Sequence, residues 1–286
     1  MHRIGLIADV QYADVDDVWN FMKTHKRRYR ASLKALRNAI TWWNEFDVDF
    51  VADLGDAIDG CKNIDTDAGM NAIKAIQCQW RRLKTKVLHL VGNHELYLFS
   101  KSQLVSGIHD FTCICPPGLL GYPEANTYYS FKLSSGWRIV VLDSYDVATI
   151  AGGPGEIQED ALKLCQNNNP NNISEGGNFF KGLQGPESRW SPFNGALGSA
   201  QLSWLESVLK SASLTGEKLV VFSHVILHPE ATHNGNCHTL LWNYDTVLNV
   251  FLKYPNCVKL VICGHSHHSG YFLDPVSRIH HVTIAS

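Results

Sequence analysis

The chain has 286 residues, a hydrophobic fraction of 45%, a charged fraction of 18% and a formal net charge of −2. This composition is that of an ordinary globular protein, and it disfavours collagen-like, coiled-coil and wholly disordered chains. Because no long basic block occurs, we expect neither nucleic-acid binding nor binding to an anionic membrane. The first ten residues lack the apolar stretch of a signal peptide and no apolar run is long enough to cross a membrane, so we expect a soluble, cytoplasmic protein.

Short apolar runs of strand type alternate with helical patterns along the chain. Strands are predicted at residues 4–8, 50–52, 87–91, 128–133, 138–142, 219–222, 259–263 and 279–284. Apolar residues at helical spacing predict helices through residues 33–43, 70–83 and 202–209. Because the chain begins with strand, helix, strand, helix and strand, we expect parallel strands joined by right-handed crossovers. Turn residues at 134–136 and 274–277 predict two hairpins, and therefore mixed sheets.

The periodicity fails between residues 147 and 198, in a segment rich in Gly, Asn and Pro. We interpret this segment as an irregular insertion on a single domain that spans residues 1–286. Its aromatic side chains either cap a substrate or hold the insertion against the scaffold. The eight cysteines form no C-x-x-C pair and are interpreted as reduced cytosolic thiols. The last residues, 281–285, are strand-like and carry no polar tail, as expected of a truncated sequence.

Polar residues of a few types follow five of the predicted strands. Because the carboxyl ends of strands in an open α/β sheet converge on one crevice, we expect these side chains to lie together. They are Asp9 and Gln11 after the first strand, Asp53 and Asp56 after the second, Asn93, His94 and Glu95 after the third, His224 after the sixth, and His265 and His267 after the seventh.

Each of these residues has an ordinary structural explanation when it is taken alone. An Asp after a strand often caps a turn or a helix, Asn93 fits a left-handed turn beside Gly92, and His224 fits a buried core position. The recurrence of such residues at successive strand ends favours a site. Carboxylates can bridge two cations, amide oxygens are hard donors and imidazoles are borderline donors, so this set predicts a dinuclear metal site. In extended backbone, His265 and His267 would point to the same side.

The ordered motifs D-x-Q, G-D, G-N-H-E, H and G-H-x-H resemble those of the calcineurin-like metallophosphoesterases over nearly the whole chain. The resemblance implies an α/β fold in which a two-sheet β-sandwich is flanked by helices, in four layers. It also implies that His94 contacts the phosphoryl group and that Asn93 orients that group through its metal. The implied ligands are Asp9, Gln11, Asp56 and His267 for one metal, and Asp56, Asn93, His224 and His265 for the other.

Two positions depart from patterns within this family. Most members have D-x-H at the first motif, whereas this chain has Gln11 at the third position. Because an amide oxygen is a harder donor than an imidazole, this favours Mn²⁺, with Zn²⁺, Fe²⁺ or Mg²⁺ as alternatives. Asp59 stands where the purple acid phosphatases have a tyrosine ligand to iron, which disfavours a ferric site of that kind. Asp53 lies outside the matched ligand position and is assigned a supporting role.

The Gln11 variant and the stretch 194–205 are similar to the manganese-dependent ADP-ribose/CDP-alcohol diphosphatases within this family. That similarity implies that ADP-ribose, CDP-choline, CDP-ethanolamine or CDP-glycerol is hydrolysed at its phosphoanhydride, by a hydroxide that bridges two metals. The products would be a nucleoside monophosphate and a phosphate ester. The alternative prediction is that the chain is another enzyme of the same fold, which acts on phosphomonoesters, phosphoproteins or cyclic nucleotides. A non-catalytic scaffold is disfavoured, since every ligand position carries a competent donor.

The substrate pocket is less clear from the sequence. Phe21 lies in a polar loop after the first motif, Tyr97 follows the third motif, and Cys237 lies in a polar stretch after the fourth. Each is a candidate substrate contact, and each is equally explained as a core or loop residue. Arg27 and Arg28 either meet the distal phosphate or face water on a helix.

Overall fold

Two β-sheets form the frame of the molecule in a computed structural model that describes residues 2–19, 26–60, 64–105, 127–134, 136–173 and 178–286. The strands are β1 (Ile4–Ile7), β2 (Val18–Trp19), β3 (Lys26–Arg27), β4 (Phe50–Asp53), β5 (Lys86–His89), β6 (Tyr129–Ser134), β7 (Trp137–Val141), β8 (Lys218–Ser223), β9 (Val258–Cys263), β10 (Gly270–Leu273) and β11 (His280–Thr283). All eight predicted strands are confirmed. Three observed strands are not among the predicted ones. The two-residue strands β2 and β3 are too short for any periodicity, and β10 was implied only by the hairpin turn predicted at 274–277.

One sheet has three strands in the order β1-β4-β5, all parallel, as the sequence predicts. The other has six strands in the order β10-β11-β9-β8-β7-β6, in which the four inner strands run parallel. Its outer pairs, β10 with β11 and β6 with β7, are antiparallel, which confirms both predicted hairpins. The sheets meet in a shared core, where Phe50 and Phe131 pack edge to face with ring centroids 6.1 Å apart.

The helices are α1 (Tyr29–Glu45), α2 (Thr66–Trp80), α3 (Asn93–Leu96), α4 (Lys101–Val105), α5 (Glu159–Asn168), α6 (Ser199–Thr215) and α7 (Tyr244–Leu252). The three predicted helices correspond to α1, α2 and α6. Trp43 of α1 covers β1, since a Cβ at Gly5 would lie 2.8 Å from the Trp43 ring nitrogen. Helices α6 and α7 pack against each other beside the six-stranded sheet. The expected two-sheet sandwich with flanking helices is thus confirmed.

Residues 147–198 are more ordered than the sequence predicts. The segment contains α5, whose largely polar sequence hides a narrow apolar face made of Ala161 and Cys165. The two ends of the segment pair with each other, because Val147 and Ala196 exchange both backbone hydrogen bonds, at 2.9 and 2.8 Å. Trp190 stacks on Trp242 of the scaffold, with centroids 5.6 Å apart. These contacts favour the interpretation that the aromatic residues hold the segment against the scaffold.

No helix in the described part of the chain is both long enough and apolar enough to span a bilayer.

Candidate metal centre

The polar strand ends identified in the sequence converge in the structure. Asp9 follows β1, Asp56 follows β4, His224 follows β8 and His265 follows β9. Each of these four buried side chains offers one ligand atom, and the four atoms lie within 4.8 Å of one another. The short helix α3 brings in Asn93 at its first residue. The parallel topology therefore gathers residues that are up to 256 positions apart in the sequence.

The backbone at this site is strained. Five of the seven implied ligands have positive φ values. Such a conformation costs a residue other than Gly roughly 1–3 kcal/mol and persists only where the surrounding structure enforces it. His265 and His267 are among the five, so the expectation of extended backbone between them is wrong, although both imidazoles do reach the site. The φ values are 53° at Asp9, 44° at Gln11, 56° at Asp56, 68° at His265 and 58° at His267.

Glu95 holds the loop that carries Asp56. Its buried carboxylate accepts hydrogen bonds from the backbone N–H groups of Asp56, Ile58 and Gly92, at 3.0, 3.3 and 2.8 Å. Burial raises the pKa of Glu95 well above its usual value, and the nearby Asp56 and Asp53 add to that shift. The sequence analysis assigned no role to Glu95.

Gly55, next to Asp56, allows the loop to approach the site closely. Its φ is +100°, and a Cβ there would lie 2.8 Å from His224 Nδ1 and 2.9 Å from the backbone nitrogen of Gly92. A side chain at this position would therefore push against a site imidazole.

The hydrogen bonds of His224 and His265 determine which ring nitrogens are free. His224 Nδ1 lies 2.7 Å from the carbonyl oxygen of Leu54, which can only accept, so Nδ1 carries the proton. Asn194 donates its amide nitrogen to two carbonyl oxygens, at 2.8 and 2.7 Å, so its oxygen must face His265. That oxygen lies 2.9 Å from His265 Nε2, so in His265 the ring proton is on Nε2.

The two remaining nitrogens, His224 Nε2 and His265 Nδ1, face each other at 3.2 Å, and when both rings are neutral each of these nitrogens carries a lone pair. Burial lowers the pKa of His265 well below its usual range, and the neighbouring His224 adds to this, so His265 is neutral. Two opposed lone pairs at this distance repel unless a cation lies between them. The separation is close to the roughly 3.4 Å that two nitrogen ligands of one tetrahedral divalent ion span. The residues present thus fit a bound metal.

Asn93 completes this half of the centre. Its Oδ1 lies 3.4 Å from His224 Nε2 and accepts a hydrogen bond from the Tyr145 hydroxyl at 3.1 Å. Its amide nitrogen donates to the Tyr97 hydroxyl, also at 3.1 Å. Tyr97 therefore orients Asn93, and its contact with substrate stays a prediction.

The other half of the centre joins Asp9, Gln11 and His267. His267 Nε2 lies 3.4 Å from Asp9 Oδ1 and 3.0 Å from the Gln11 side-chain nitrogen. Asp9 Oδ1 is buried and makes no well-formed hydrogen bond with any described residue, since the His267 imidazole contacts it only at 3.4 Å. Burial alone would raise the pKa of Asp9, but the imidazole of His267, with the two other site histidines, lowers it to about 2. A buried carboxylate oxygen that stays charged and has only this long contact fits a metal ligand.

Asp56 lies between the two halves. Its Oδ2 is 3.2 Å from the Gln11 side-chain nitrogen on one side and 3.6 Å from His224 Nε2 on the other. Its Oδ1 accepts the backbone N–H of His94 at 2.9 Å, which fixes the carboxylate plane. This is the position that a bridging carboxylate needs.

His94 lies at the edge of the centre, and Asp59 holds its ring on the Nδ1 side. Its Nε2 lies 3.8 Å from Asp56 Oδ2, and its Nδ1 lies 2.9 Å from Asp59 Oδ1. The other oxygen of Asp59 accepts a hydrogen bond from Arg27 at 2.6 Å. Arg27 lies on β3 rather than on a helix, and the sequence reasoning did not pair it with Asp59.

The remaining sequence candidates are placed as follows. Phe21 lies outside the described residues. Cys237 is buried in a 3₁₀ turn, where its Sγ hydrogen is directed at the Gly235 carbonyl oxygen and burial raises its pKa. Asp53 faces away from the centre, since its carboxylate bonds His89 at 2.8 Å and the Gly55 N–H at 3.4 Å.

Comparisons with known proteins agree with this architecture. A curated relative from Arabidopsis thaliana, named manganese-dependent ADP-ribose/CDP-alcohol diphosphatase, is 35% identical, and the match covers 98% of this chain and 84% of the relative. The human protein of the same name is 34% identical over 99% of this chain and 82% of its own length. Among solved structures, a dimetal phosphatase from Danio rerio superposes with a TM-score of 0.83 at 31% identity, covering 100% of this chain and 87% of that chain.

A family model described as calcineurin-like phosphoesterase matches residues 2–269. Together with the two-sheet fold and the converging strand ends, this match shows that the chain belongs to the calcineurin-like phosphoesterase family.

Proposed function

We propose that this chain is a manganese-dependent hydrolase of nucleotide diphosphates, cleaving the phosphoanhydride of ADP-ribose and of CDP-alcohols. The observation that carries the proposal is the pair of bare imidazole nitrogens at 3.2 Å, set beside two buried carboxylates and the amides of Asn93 and Gln11. The names of the full-length relatives support the substrate class and the metal. The ligands would be divided as the sequence resemblance implies, with Asp56 shared.

Two divalent cations, when bound, supply Lewis-acid activation of water and of phosphoryl oxygens. The chain provides only two carboxylates among the proposed ligands, Asp9 and Asp56, so a loaded centre would keep a net positive charge toward an anionic substrate. The other donors are neutral. This local charge would attract a diphosphate although the whole chain carries a formal charge of −2.

His94 is the proposed acid or charge stabiliser at the leaving group. Its Nδ1 lies 2.9 Å from Asp59 Oδ1 and 3.1 Å from the Gly60 backbone nitrogen, and these two contacts orient the ring so that its Nε2 points into the centre beside Asp56. From there, Nε2 can donate to a phosphoryl or leaving-group oxygen whenever it carries a proton. The ion pair between Arg27 and Asp59 is nearly buried, and it restricts rotation of the carboxylate behind the ring. Asp59 and Arg27 are thus positioning residues that act through His94.

The substrate class is tested by steady-state kinetics of the purified chain with Mn²⁺. We expect a much higher kcat/KM on ADP-ribose and CDP-choline than on p-nitrophenyl phosphate, since the proposal places a diphosphate at the centre. A chain that hydrolyses p-nitrophenyl phosphate or a cyclic nucleotide efficiently and leaves ADP-ribose intact would contradict the proposed substrate while leaving the phosphoesterase family in place.

Gln11 is expected to set the metal preference. Its side-chain amide faces Asp56 and His267, and a half-turn about its last bond exchanges the nitrogen for the oxygen. Replacing this hard oxygen by a borderline nitrogen in Gln11→His should raise the affinity for Zn²⁺ and reduce the dependence on added Mn²⁺. Metal content and the Mn²⁺ activation curve check this.

The matched control for this prediction is Gln184→His, which adds a histidine at an exposed position outside the centre. This control should behave as the wild type. An unchanged metal content and activation curve in Gln11→His would remove Gln11 from the ligand set.

A further inference from the structure

A second group of metal-ligating side chains lies outside the strand-end centre. His228, Asp274 and His281 each offer one ligand atom, and the three atoms lie within 4.8 Å of one another. His281 belongs to β11 and Asp274 follows β10, while His228 precedes the 3₁₀ turn Pro229–Ala231. None of the three is among the proposed ligands of the dinuclear centre.

His281 is buried without a hydrogen-bond partner. Its side chain is only 1% exposed, and neither ring nitrogen bonds any described residue. A buried polar group left in this state costs about 1–3 kcal/mol. Burial, with His228 nearby, lowers the pKa of His281 to about 3, so the ring is neutral and keeps a free lone pair. The ring is therefore ready to bind a cation without first losing a proton.

The surrounding contacts fix the three elements against one another. Gly270 approaches the carbonyl oxygen of Ala231 so closely that a Cβ at that position could not be accommodated. The Thr283 hydroxyl donates to the same oxygen at 2.8 Å. The ring of His228 packs on Phe272, the cross-strand neighbour of His281, with centroids 4.6 Å apart. The edge hairpin and the turn after β8 thus hold the two imidazoles next to each other.

The hydrogen bonds already made by the other two members leave room for a ligand. The Asp274 oxygens accept from the Val276 N–H at 2.9 Å and the Ser277 hydroxyl at 2.5 Å, and each oxygen keeps a further lone pair. His228 Nδ1 accepts the N–H of Glu230 at 3.1 Å. Glu230 is exposed, so water can take over that N–H if Nδ1 turns to a cation.

We propose that His228, Asp274 and His281 form a third metal site, separate from the dinuclear centre, that binds Zn²⁺. Two imidazoles and one carboxylate are a borderline donor set that suits Zn²⁺ better than Mn²⁺. Three protein ligands leave a fourth tetrahedral position for water. Ligand atoms around Zn²⁺ lie about 3.4 Å apart. Small side-chain rotations would bring the three ligand atoms, which lie within 4.8 Å of one another, to that spacing. The bound ion would tie the β10–β11 hairpin to the turn after β8.

The test is a count of metal ions per chain. The untagged protein is stripped of metal, reloaded with Mn²⁺ and Zn²⁺, desalted and analysed for both elements by mass spectrometry. We expect His281→Ala to hold one ion fewer than the wild type. His280→Ala is the matched control, because His280 is the adjacent residue on the exposed face of β11 and bonds the Tyr271 hydroxyl at 2.9 Å. It should keep the wild-type count.

Equal ion counts in wild type and His281→Ala would overturn the proposal. A second control is His233→Ala, because His233 stacks on His268 and could collect Zn²⁺ at the surface. Loss of the ion in this control instead of in His281→Ala would also overturn it. If His281→Ala does not fold, His228→Gln replaces it, with the same expected loss of one ion. The number of bound ions does not depend on any substrate. The result can therefore be interpreted even if the proposed diphosphatase activity is not found.

Discussion

Asp56→Ala is expected to abolish turnover and to weaken the binding of both metals of the dinuclear centre. Asp56 Oδ2 lies between the two halves of the centre, 3.2 Å from the Gln11 amide and 3.6 Å from His224 Nε2. Its removal takes away the only carboxylate that both proposed ligand sets share. Losing several kcal/mol of metal-derived charge stabilisation lowers kcat about a thousandfold or more. Activity on ADP-ribose and bound Mn²⁺ per chain measure the two effects.

Asp53→Asn is the matched control for this substitution. Asp53 lies at the end of the same strand and is equally buried, but it faces His89 and the backbone of Gly55. The amide oxygen of Asn can still accept from the Gly55 N–H, so the loop should keep its shape. We expect Mn²⁺ content close to that of the wild type. Two tightly bound ions in Asp56→Ala would contradict the bridging assignment.

His94→Ala is expected to keep both metals and to lower kcat by roughly a hundredfold or more, which is the usual loss for a positioned acid or charge stabiliser. His94 lies beside Asp56 but is not a proposed ligand, and its backbone N–H still holds the Asp56 carboxylate in the variant. Metal analysis together with steady-state kinetics on ADP-ribose separates the two properties. Unchanged kcat in His94→Ala would remove this residue from the mechanism.

Asp59→Asn tests whether Asp59 affects turnover by positioning His94. The substitution keeps an oxygen near His94 Nδ1 but removes the charge, and Asp59 lies behind the ring rather than on the reacting side. We expect a smaller fall in kcat than in His94→Ala, with KM little changed. In a double variant, loss of Asp59 should cost nothing further once His94 is gone. Independent, additive effects would show that Asp59 does not act through His94.

The sequence predicted the convergence of the site because strand direction alone brings polar strand ends to one crevice. The short apolar runs before Asp9, Asp56 and His224 gave enough periodicity to place β1, β4 and β8. The left-handed backbone at His265 and His267 could not be predicted, since side chains other than Gly rarely adopt it without enforcement from distant contacts.

The residues that orient the ligands could also not be predicted from the sequence. Asn194 fixes His265 across 71 positions, and Tyr145 fixes Asn93 across 52 positions. Tyr145 lies in no motif, and Asn194 begins the stretch 194–205 that resembles the diphosphatases but carried no sign of a role beside His265. The sequence analysis expected Arg27 either to meet the distal phosphate or to face water on a helix, whereas Arg27 lies on β3 and bonds Asp59. Pairings of this kind depend on loop geometry that hydrophobic periodicity does not encode.

The most direct test of the dinuclear centre is the anomalous scattering of Mn²⁺ in crystals of the wild-type chain grown with that ion. We predict two strong peaks, one between His224 Nε2 and His265 Nδ1 and the other between Asp9 and His267, with the Asp56 carboxylate between them. A crystal in which the two imidazole nitrogens remain in direct contact with no peak between them, or in which Mn²⁺ binds away from the strand ends, would contradict the account.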